Sequence, residues 1–179
     1  MKKLLLIFLL CPILTWAQKP DISPLQWNGD QIFHQTVLEL PSLKSDQLFS
    51  LTKLYLSDVF KNYKEVVNME EKELGIISGR GITSASYSSG LISDTWDIHF
   101  SFKYEIKDEK IRVTFDNFEF SLATQPRPTS FEFLTFNPLT KNPVARLSKS
   151  QKQIFENFGA KLEAMNANLV ESAKKSEDW

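Results

Sequence analysis

The sequence predicts an α+β domain in which an antiparallel sheet of about five strands is covered on one face by two helices. The first observation behind this prediction is a set of segments in which apolar and polar residues alternate, as in a half-buried strand. The second is a pair of longer segments whose apolar residues recur every three or four positions, as on an amphipathic helix. These segments follow one another in the order strand, helix, four strands, helix, and no internal repeat is visible.

The N-terminus of the 179-residue chain has the features of a secretory signal. A positive Met1–Lys3 precedes the apolar run Leu4–Leu14, which is too short for a membrane-spanning helix of about 20 residues. Ala17 supplies a small residue for the peptidase, so we expect residues 1–17 to be a signal peptide that is cut before Gln18. We therefore expect the mature chain, with no transmembrane helix, in the periplasm or cell envelope of a Gram-negative bacterium, or outside the cell.

Cys11, the only cysteine in the sequence, lies inside this leader. The residue before it, Leu10, is bulkier than a lipoprotein signal prefers, so soluble export is favoured over lipid anchoring. Loss of Cys11 with the leader excludes a disulfide scaffold, a thiolate zinc site and a cysteine nucleophile. Removal of Lys2 and Lys3 leaves 19 of the 21 basic residues against 22 acidic ones, so the mature net charge is −3.

We expect a single domain over residues 31–175, preceded by a linker or arm at 18–30 and followed by a tail at 176–179. The linker or arm contains two prolines and an Asn-Gly pair, which favour irregular backbone. Alternation over Ile32–Leu40 predicts the first strand. Helical spacing of apolar residues predicts the first helix from Leu43 to about Asn62.

The middle of the chain is predicted to contain two more strands, at Val66–Met69 and Leu74–Ile82, joined by a polar turn. The second of these contains three glycines, which in a strand mark a bulge or the close approach of another group. They are Gly75, Gly79 and Gly81. The segment Thr83–Ser93 is rich in serine and glycine, and this composition predicts a mobile loop.

The clearest pattern is the alternation over Trp96–Ile106, where aromatic and aliphatic residues take one face and polar residues the other. A polar turn at Lys107–Lys110 leads into the returning strand. Its apolar residues change parity after Asp116–Asn117, which predicts a β-bulge there. We expect the aromatic face, including Phe100 and Phe102, to lie beneath the helices and the polar face to meet solvent.

Residues 126–143 contain four of the eight prolines, so an irregular segment is expected. Three phenylalanines lie within it: Phe131, Phe133 and Phe136. Two interpretations remain open for them: a lid that packs on the core, which we favour, or an exposed patch that binds a partner or an apolar ligand. A long closing helix is predicted from Ser148 to about Lys175, with its first residue as the cap.

These features together resemble one known family. The resemblance rests on the leader ending in Ala17-Gln18, the stretch from Val66-Val67 to Gly79-Arg80-Gly81, and the strand pair that ends in Lys110-Ile111-Arg112-Val113. Over roughly residues 32–122 the chain is similar to a family of exported bacterial proteins of unknown function with a TATA-binding-protein-like (TBP-like) fold. The resemblance implies this fold, in agreement with the strand order, and implies neither catalytic residues nor DNA binding.

The charge pattern does not favour a nucleic-acid partner. A mature chain with a net charge of −3 lacks the basic stripe that phosphate binding requires. Basic residues around the predicted hairpin, such as Lys103 and Arg112, alternate with Glu105 and Asp108. This mixture predicts a solvated face rather than a positive one.

No catalytic, metal or cofactor site is predicted. His34 and His99 fall on opposite faces of their strands, so they cannot share one metal ion. The sequence has no G-x-S-x-G, and its S-x-x-K matches at Ser50–Lys53 and Ser172–Lys175 lack the accompanying motifs of a serine enzyme. Gly79-Arg80-Gly81 lacks the further glycine and the lysine of a phosphate loop.

We therefore predict an exported, non-catalytic binding or interaction domain of the cell envelope, whose partner is an unidentified envelope protein or a small ligand. One alternative is a carrier of small apolar ligands, with a cavity between the curved sheet and the long helix. A second alternative is a hydrolase without a recognisable motif.

Overall fold

Seven strands and three helices make up the part of the chain that the structure describes. The computed structural model describes residues 21–28, 31–89, 92–122, 125–130 and 149–177. The strands are β1 (Gln26–Asn28), β2 (Gln31–Glu39), β3 (Val67–Glu71), β4 (Ile76–Ser89), β5 (Ile92–Lys107), β6 (Lys110–Leu122) and β7 (Gln125–Ser130). The helices are α1 (Ser45–Val59), α2 (Tyr63–Val66) and α3 (Lys149–Glu177).

The strands pair antiparallel in the order β1-β2-β6-β5-β4-β3, and β7 pairs with β6. Helix α1 contacts β5 and β6, while α3 contacts β4, β2 and α1. The predicted α+β architecture is confirmed, with β1 and β7 as strands beyond the predicted five. None of the described helices has the length and apolar character needed to cross a membrane.

Strand β5 supplies the centre of the core, as its alternation predicts. Phe102 and Tyr104 expose 2% and 0% of their surface. From α3, the ring of Phe158 meets Phe118 and Phe120 nearly at right angles, with centroids 5.0 and 6.0 Å apart. Edge-to-face ring contacts of this kind stabilise a core beyond the burial of apolar area. The aromatic face of the sheet and α3 therefore form one continuous core.

Helix α1 is held at its start and its middle by other elements. The carboxylate Oδ1 of Asp108 accepts a hydrogen bond of 2.9 Å from the backbone N–H of Ser45, which satisfies one free donor of the first turn. The Tyr55 hydroxyl donates to a backbone carbonyl of α3 at 2.7 Å, and burial raises the pKa of Tyr55 to about 12. The helix ends at Val59, before the predicted end near Asn62, and α2 follows.

Strand β6 carries one residue more than a regular ladder with β5 would hold. Ser101 pairs with Asp116, and the next pairing joins His99 to Glu119. The two residues between on β6 therefore oppose a single residue of β5, which is a β-bulge. Asn117 has a φ of 51°, a left-handed conformation that asparagine adopts more readily than most residues. The bulge predicted from the change in parity is confirmed.

The mobile loop predicted at Thr83–Ser93 is wrong, because β4 runs on to Ser89 and β5 begins at Ile92. The two strands stay paired along this stretch, and the hydroxyls of Ser86 and Thr95 hydrogen-bond across them at 2.8 Å. A serine-rich segment can still form a strand when a long neighbouring strand provides its hydrogen-bond partners. Local composition is therefore overridden here by tertiary pairing.

Helix α3 covers the outer side of β4 where β3 no longer reaches. Strand β3 pairs with β4 only at Ile76–Gly79. Farther along, the side chains of Asn157 and Lys161 donate hydrogen bonds to the backbone carbonyls of Ser86 and Ser84. The helix thus satisfies main-chain acceptors that would otherwise be left at a sheet edge.

Residues 21–28, within the segment predicted as a linker or arm, pack against the domain. Strand β1 pairs with β2, and Ile22 and Leu25 expose only 4% of their surface each. The carbonyl oxygen of Pro24 lies 3.3 Å from Nδ1 of the buried His34. These residues form an arm that contributes to the core. Ile22 and Leu25 are buried, although the apolar residues of the segment follow no regular strand or helix spacing.

One segment near the C-terminal end also differs from expectation. The irregular segment predicted at 126–143 starts as a strand, since β7 pairs with β6 over Glu119–Leu122. Among the described strands β7 pairs with β6 alone, and an edge strand is where prolines are tolerated. Residues 131–148, including the predicted cap Ser148, and residues 178–179 of the predicted tail lie outside the described residues.

We expect Gly159→Ala to lower the free energy of unfolding by about 1 kcal/mol, although alanine is the better helix former. An added Cβ would collide with the ring of Pro24, whose Cγ would be 2.6 Å away. Urea unfolding midpoints measure the effect. In a Pro24→Ala background the same substitution should be neutral or stabilising, and a stabilised Gly159→Ala single variant would contradict the expected clash.

Candidate functional site

The face of the sheet that turns away from the helices is polar, as the alternation of β5 predicts. His99 and Lys103 are exposed, whereas Phe100 and Phe102 between them are buried. Successive side chains of a strand point to opposite faces. The outward-facing side chains of β4, β5 and β6 therefore form a largely polar surface, on which the exposed Ile82 lies across from His99.

A hollow of about 400 Å³ opens on this surface where β4, β5 and β6 run side by side. Its volume falls in the range of small-molecule binding sites. The polar side chains that line this polar hollow are Arg80 of β4, His99 and Ser101 of β5, and Asn117 and Glu119 of β6. The strand pairing places Arg80 across from Ser101 and His99 across from Glu119.

The β-bulge fixes one wall of the polar hollow. Nδ2 of Asn117 donates to Oγ of Ser101 at 3.3 Å and to Oδ1 of Asp116 at 3.0 Å. Since both amide hydrogens are engaged, Oδ1 of Asn117 remains the atom able to accept a hydrogen bond from a ligand. Burial raises the pKa of Asp116, and the positive charge of Lys103 opposes this shift.

The two arginines of the polar face differ in their partners. Arg112 donates from Nε and Nη2 to the carboxylate oxygens of Glu105, at 2.8 Å each, and Lys103 lies 3.3 Å from the same carboxylate. Arg80 is exposed and forms neither an ion pair nor a side-chain hydrogen bond with any residue that the structure describes. The N–H donors of its guanidinium are therefore available to bind an anionic group.

His99 and Glu119 are exposed and face each other across the β5–β6 pairing. Neither side chain forms a hydrogen bond within the described residues. His34 is buried on the opposite face, as predicted, where it stacks on Phe115. In the described parts of the chain, no three His, Cys, Asp or Glu side chains are grouped so that they could hold a metal ion.

The polar hollow contains the residue types of a serine hydrolase without their required contacts. Ser101 lies two positions from His99 on the same strand, but its Oγ accepts a hydrogen bond from Asn117. A catalytic serine needs a histidine within hydrogen-bond reach and an acid that orients this histidine. Within the described residues His99 makes neither hydrogen bond.

The site residues predicted from the sequence lie outside the described residues. They are Phe131, Phe133 and Phe136 of the lid or patch, and Ala17 and Gln18 at the cleavage site. The polar hollow has only a weak signal in the sequence, namely the parity change next to polar residues of β6. The register that brings Arg80 to the same place is a property of the folded sheet.

Residues 34–121 match the sequence model of a family described as a domain of unknown function (DUF4468) with TBP-like fold. The chain carries a DUF4468 domain. The match runs from β2 to β6 and includes every side chain that lines the polar hollow. The resemblance to a family of unknown function with a TBP-like fold is thereby confirmed.

Solved structures agree with this fold. A DUF4468 family protein from Bacteroides ovatus superposes with a TM-score of 0.62 at 14% identity, over 82% of this chain and 90% of that one. A TBP-like protein from Parabacteroides distasonis gives a TM-score of 0.64 at 11% identity, over 86% of this chain and 98% of that one. No curated protein matches the chain in sequence. Identities this low support a shared fold alone.

Arg112→Gln, outside the polar hollow, should lower the free energy of unfolding slightly at neutral pH, as expected for a solvent-exposed ion pair. The hydrogen bonds from Arg112, with a smaller contribution from Lys103, hold the pKa of Glu105 below its usual value. A lowered carboxyl pKa stabilises the folded chain above the unfolded-state pKa, and this contribution disappears as pH falls through the folded-state value. Urea titrations from pH 7 to pH 3 should show the two proteins converging in acid. A difference that stays constant with pH would contradict the ion pair as its cause.

Proposed function

We propose that this protein is an exported, non-catalytic binding domain of the cell envelope whose binding site is the polar hollow. One observation carries the proposal: Arg80, His99 and Glu119 are exposed at the hollow and have no partners among the described residues. Arg112 shows the structural use of an arginine on this face, which is to pair with a carboxylate. The three unpartnered side chains have no comparable structural use, and ligand binding accounts for them.

The charge balance of the face argues against a nucleic-acid partner. Its basic side chains, Arg80, Lys103, Lys107, Lys110 and Arg112, are interspersed with the acidic side chains Asp97, Glu105, Asp116 and Glu119. A phosphate backbone requires an excess of positive charge along the whole contact. The mixed face favours a ligand or protein surface that itself carries both charge and hydrogen-bonding groups.

A carrier with an apolar cavity between sheet and helix is less favoured. In that layer the ring of Phe120 lies 5.7 Å from that of Phe155 on α3, and the ring of Phe118 lies 5.0 Å from that of Phe158, both in near-perpendicular contact. Such spacings are those of closely packed aromatic cores. A carrier would need these rings to separate before a ligand could enter.

The hollow is tested by thermal shift assays on the full mature chain with four probes: trialanine, a disaccharide, citrate and inorganic phosphate. At least one probe should raise the melting temperature by mass action. The variant carrying Arg80→Gln, His99→Gln and Glu119→Gln together should lose this shift. Lys107→Gln, an exposed position of β5 outside the hollow, should keep it. Absence of any shift with all four probes would contradict the proposal.

Export is tested by mass analysis of the N-terminus of the native protein. We expect the chain to begin at Gln18, because the apolar run and Ala17 form a cleavable secretory signal. An intact Met1 would contradict export. A lipid on Cys11 would replace the proposed soluble form by a lipid-anchored one.

A further inference from the structure

We propose that the polar hollow binds the two charged termini of a short peptide, with the carboxylate at Arg80 and the amine at Glu119. This inference rests on the proposed function, since it names the ligand class of the same hollow. It follows from the signs of the unpartnered charges, from the spacing of the residues that carry them and from the polar groups beside them.

The charges at the two ends of the hollow have opposite signs. Arg80 on β4 and Glu119 on β6 are both exposed, and neither has a partner of opposite charge within the described residues. A guanidinium without a carboxylate presents a planar fork that fits a carboxylate or a phosphate. A free carboxylate accepts hydrogen bonds from an ammonium group. Together they complement a ligand with one negative and one positive end.

The distance between the two charged residues is of the order of a tripeptide's length. Strand β5 lies between β4 and β6, so the strands that carry Arg80 and Glu119 are about 10 Å apart at the usual spacing. Arg80 pairs with Ser101 and Glu119 with His99, an offset of two residues that adds about 7 Å along the strands and puts the two Cα atoms about 12 Å apart. Three extended residues span about 10–11 Å, and the hollow of about 400 Å³ has room for a ligand of this size.

The middle of the hollow carries groups suited to peptide bonds. Oδ1 of Asn117 is free to accept from a peptide N–H, because its Nδ2 is held by Ser101 and Asp116. The imidazole of His99 can donate to a peptide carbonyl or accept from a peptide N–H. His99 lies on β5, between the strands of the two charged residues, and the amide of Asn117 reaches Ser101 of the same strand.

A purely anionic ligand fits less well. Among the described residues, Arg80 is the one Arg or Lys side chain that lines the hollow, and the acid Glu119 lines it as well. Asp116 adds a second carboxyl group beside Asn117. A phosphate or a dicarboxylate would gain one pairing at Arg80 and meet repulsion from these acids.

The experiment is isothermal titration of the full mature chain with trialanine, its N-acetylated form, its C-terminal amide and inorganic phosphate. Each capped peptide should bind about tenfold more weakly than free trialanine, the loss of one charge-assisted contact. In Arg80→Gln the free peptide and its amide should bind alike. In Glu119→Gln the free and acetylated peptides should bind alike, while Lys107→Gln should bind as the wild type does.

The outcomes separate this inference from the proposed function. Equal binding of free and capped peptides would overturn recognition of the termini and leave the hollow as a binding site. A second outcome would also overturn the peptide ligand and leave the hollow as a binding site: phosphate binds to the wild type but not to Arg80→Gln, and trialanine does not bind. Absence of trialanine binding overturns the peptide ligand, and only failure of every probe, including the disaccharide and citrate, would overturn the hollow itself. Melting curves of each variant confirm folding, since all three substituted side chains are exposed.

Discussion

Phe102→Ala should lower the free energy of unfolding by about 3–5 kcal/mol, the range for truncation of a large buried aromatic side chain. Phe102 exposes 2% of its surface. Its ring stacks on Phe60 with centroids 5.5 Å apart and meets Tyr104 edge-on at 5.8 Å. Tyr104 belongs to β5 and Phe60 directly follows α1, so two separate elements would have to move to fill the cavity.

Urea unfolding followed by circular dichroism measures the loss. Leu74→Ala is a suitable control, because Leu74 is 66% exposed and surface truncations usually change stability by less than about 0.5 kcal/mol. If the Phe102→Ala variant does not fold, Phe102→Leu provides a milder truncation with the same direction. An unchanged midpoint for either Phe102 variant would mean that the aromatic face of the sheet is not the core face.

Gly79→Val should lower the free energy of unfolding by about 3 kcal/mol, although valine is a far better strand former than glycine. A Cβ at Gly79 would lie 2.7 Å from Cζ of Phe102 and would also overlap the backbone carbonyl oxygen of Val66. The first of these groups is a buried ring and the second is main chain. Neither can move away without disturbing the core.

Ser78→Val provides the matched control for this prediction. Ser78 precedes Gly79 on β4 and faces the polar side, where it is partly exposed. The same residue introduced there keeps the gain in strand propensity and avoids the clash, so stability should stay the same or rise slightly. Equal losses at both positions would attribute the effect to valine in this strand rather than to the close packing at Gly79.

Strict alternation made the central hairpin predictable from the sequence. Over Trp96–Ile106 each residue type has one acceptable face, so the pattern determines which side chains are buried. The same logic predicted the bulge, since one extra residue is the simplest way to reverse parity. By contrast, the end of β4 follows from pairing with β5 and from the carbonyl contacts of α3, neither of which appears in its serine-rich composition.

The polar hollow could not be predicted from the sequence, because it also depends on how the strands pair. Its five side chains come from three strands, and the register between these strands decides which residues meet. Arg112 and Arg80 have the same chemistry in the sequence. Only the folded sheet shows that Arg112 is paired with Glu105 and that Arg80 lies across from Ser101.

The contacts from α3 to the outer carbonyls of β4 have a consequence for the order of folding. Asn157 and Lys161 donate hydrogen bonds to the carbonyl oxygens of Ser86 and Ser84. Without these contacts, a strand of another molecule could pair with the same carbonyls. Because α3 follows the whole sheet in the chain, these acceptors stay open until the last helix has docked. Chains truncated before α3 should therefore self-associate through β4, and newly made chains are most vulnerable to aggregation in this interval.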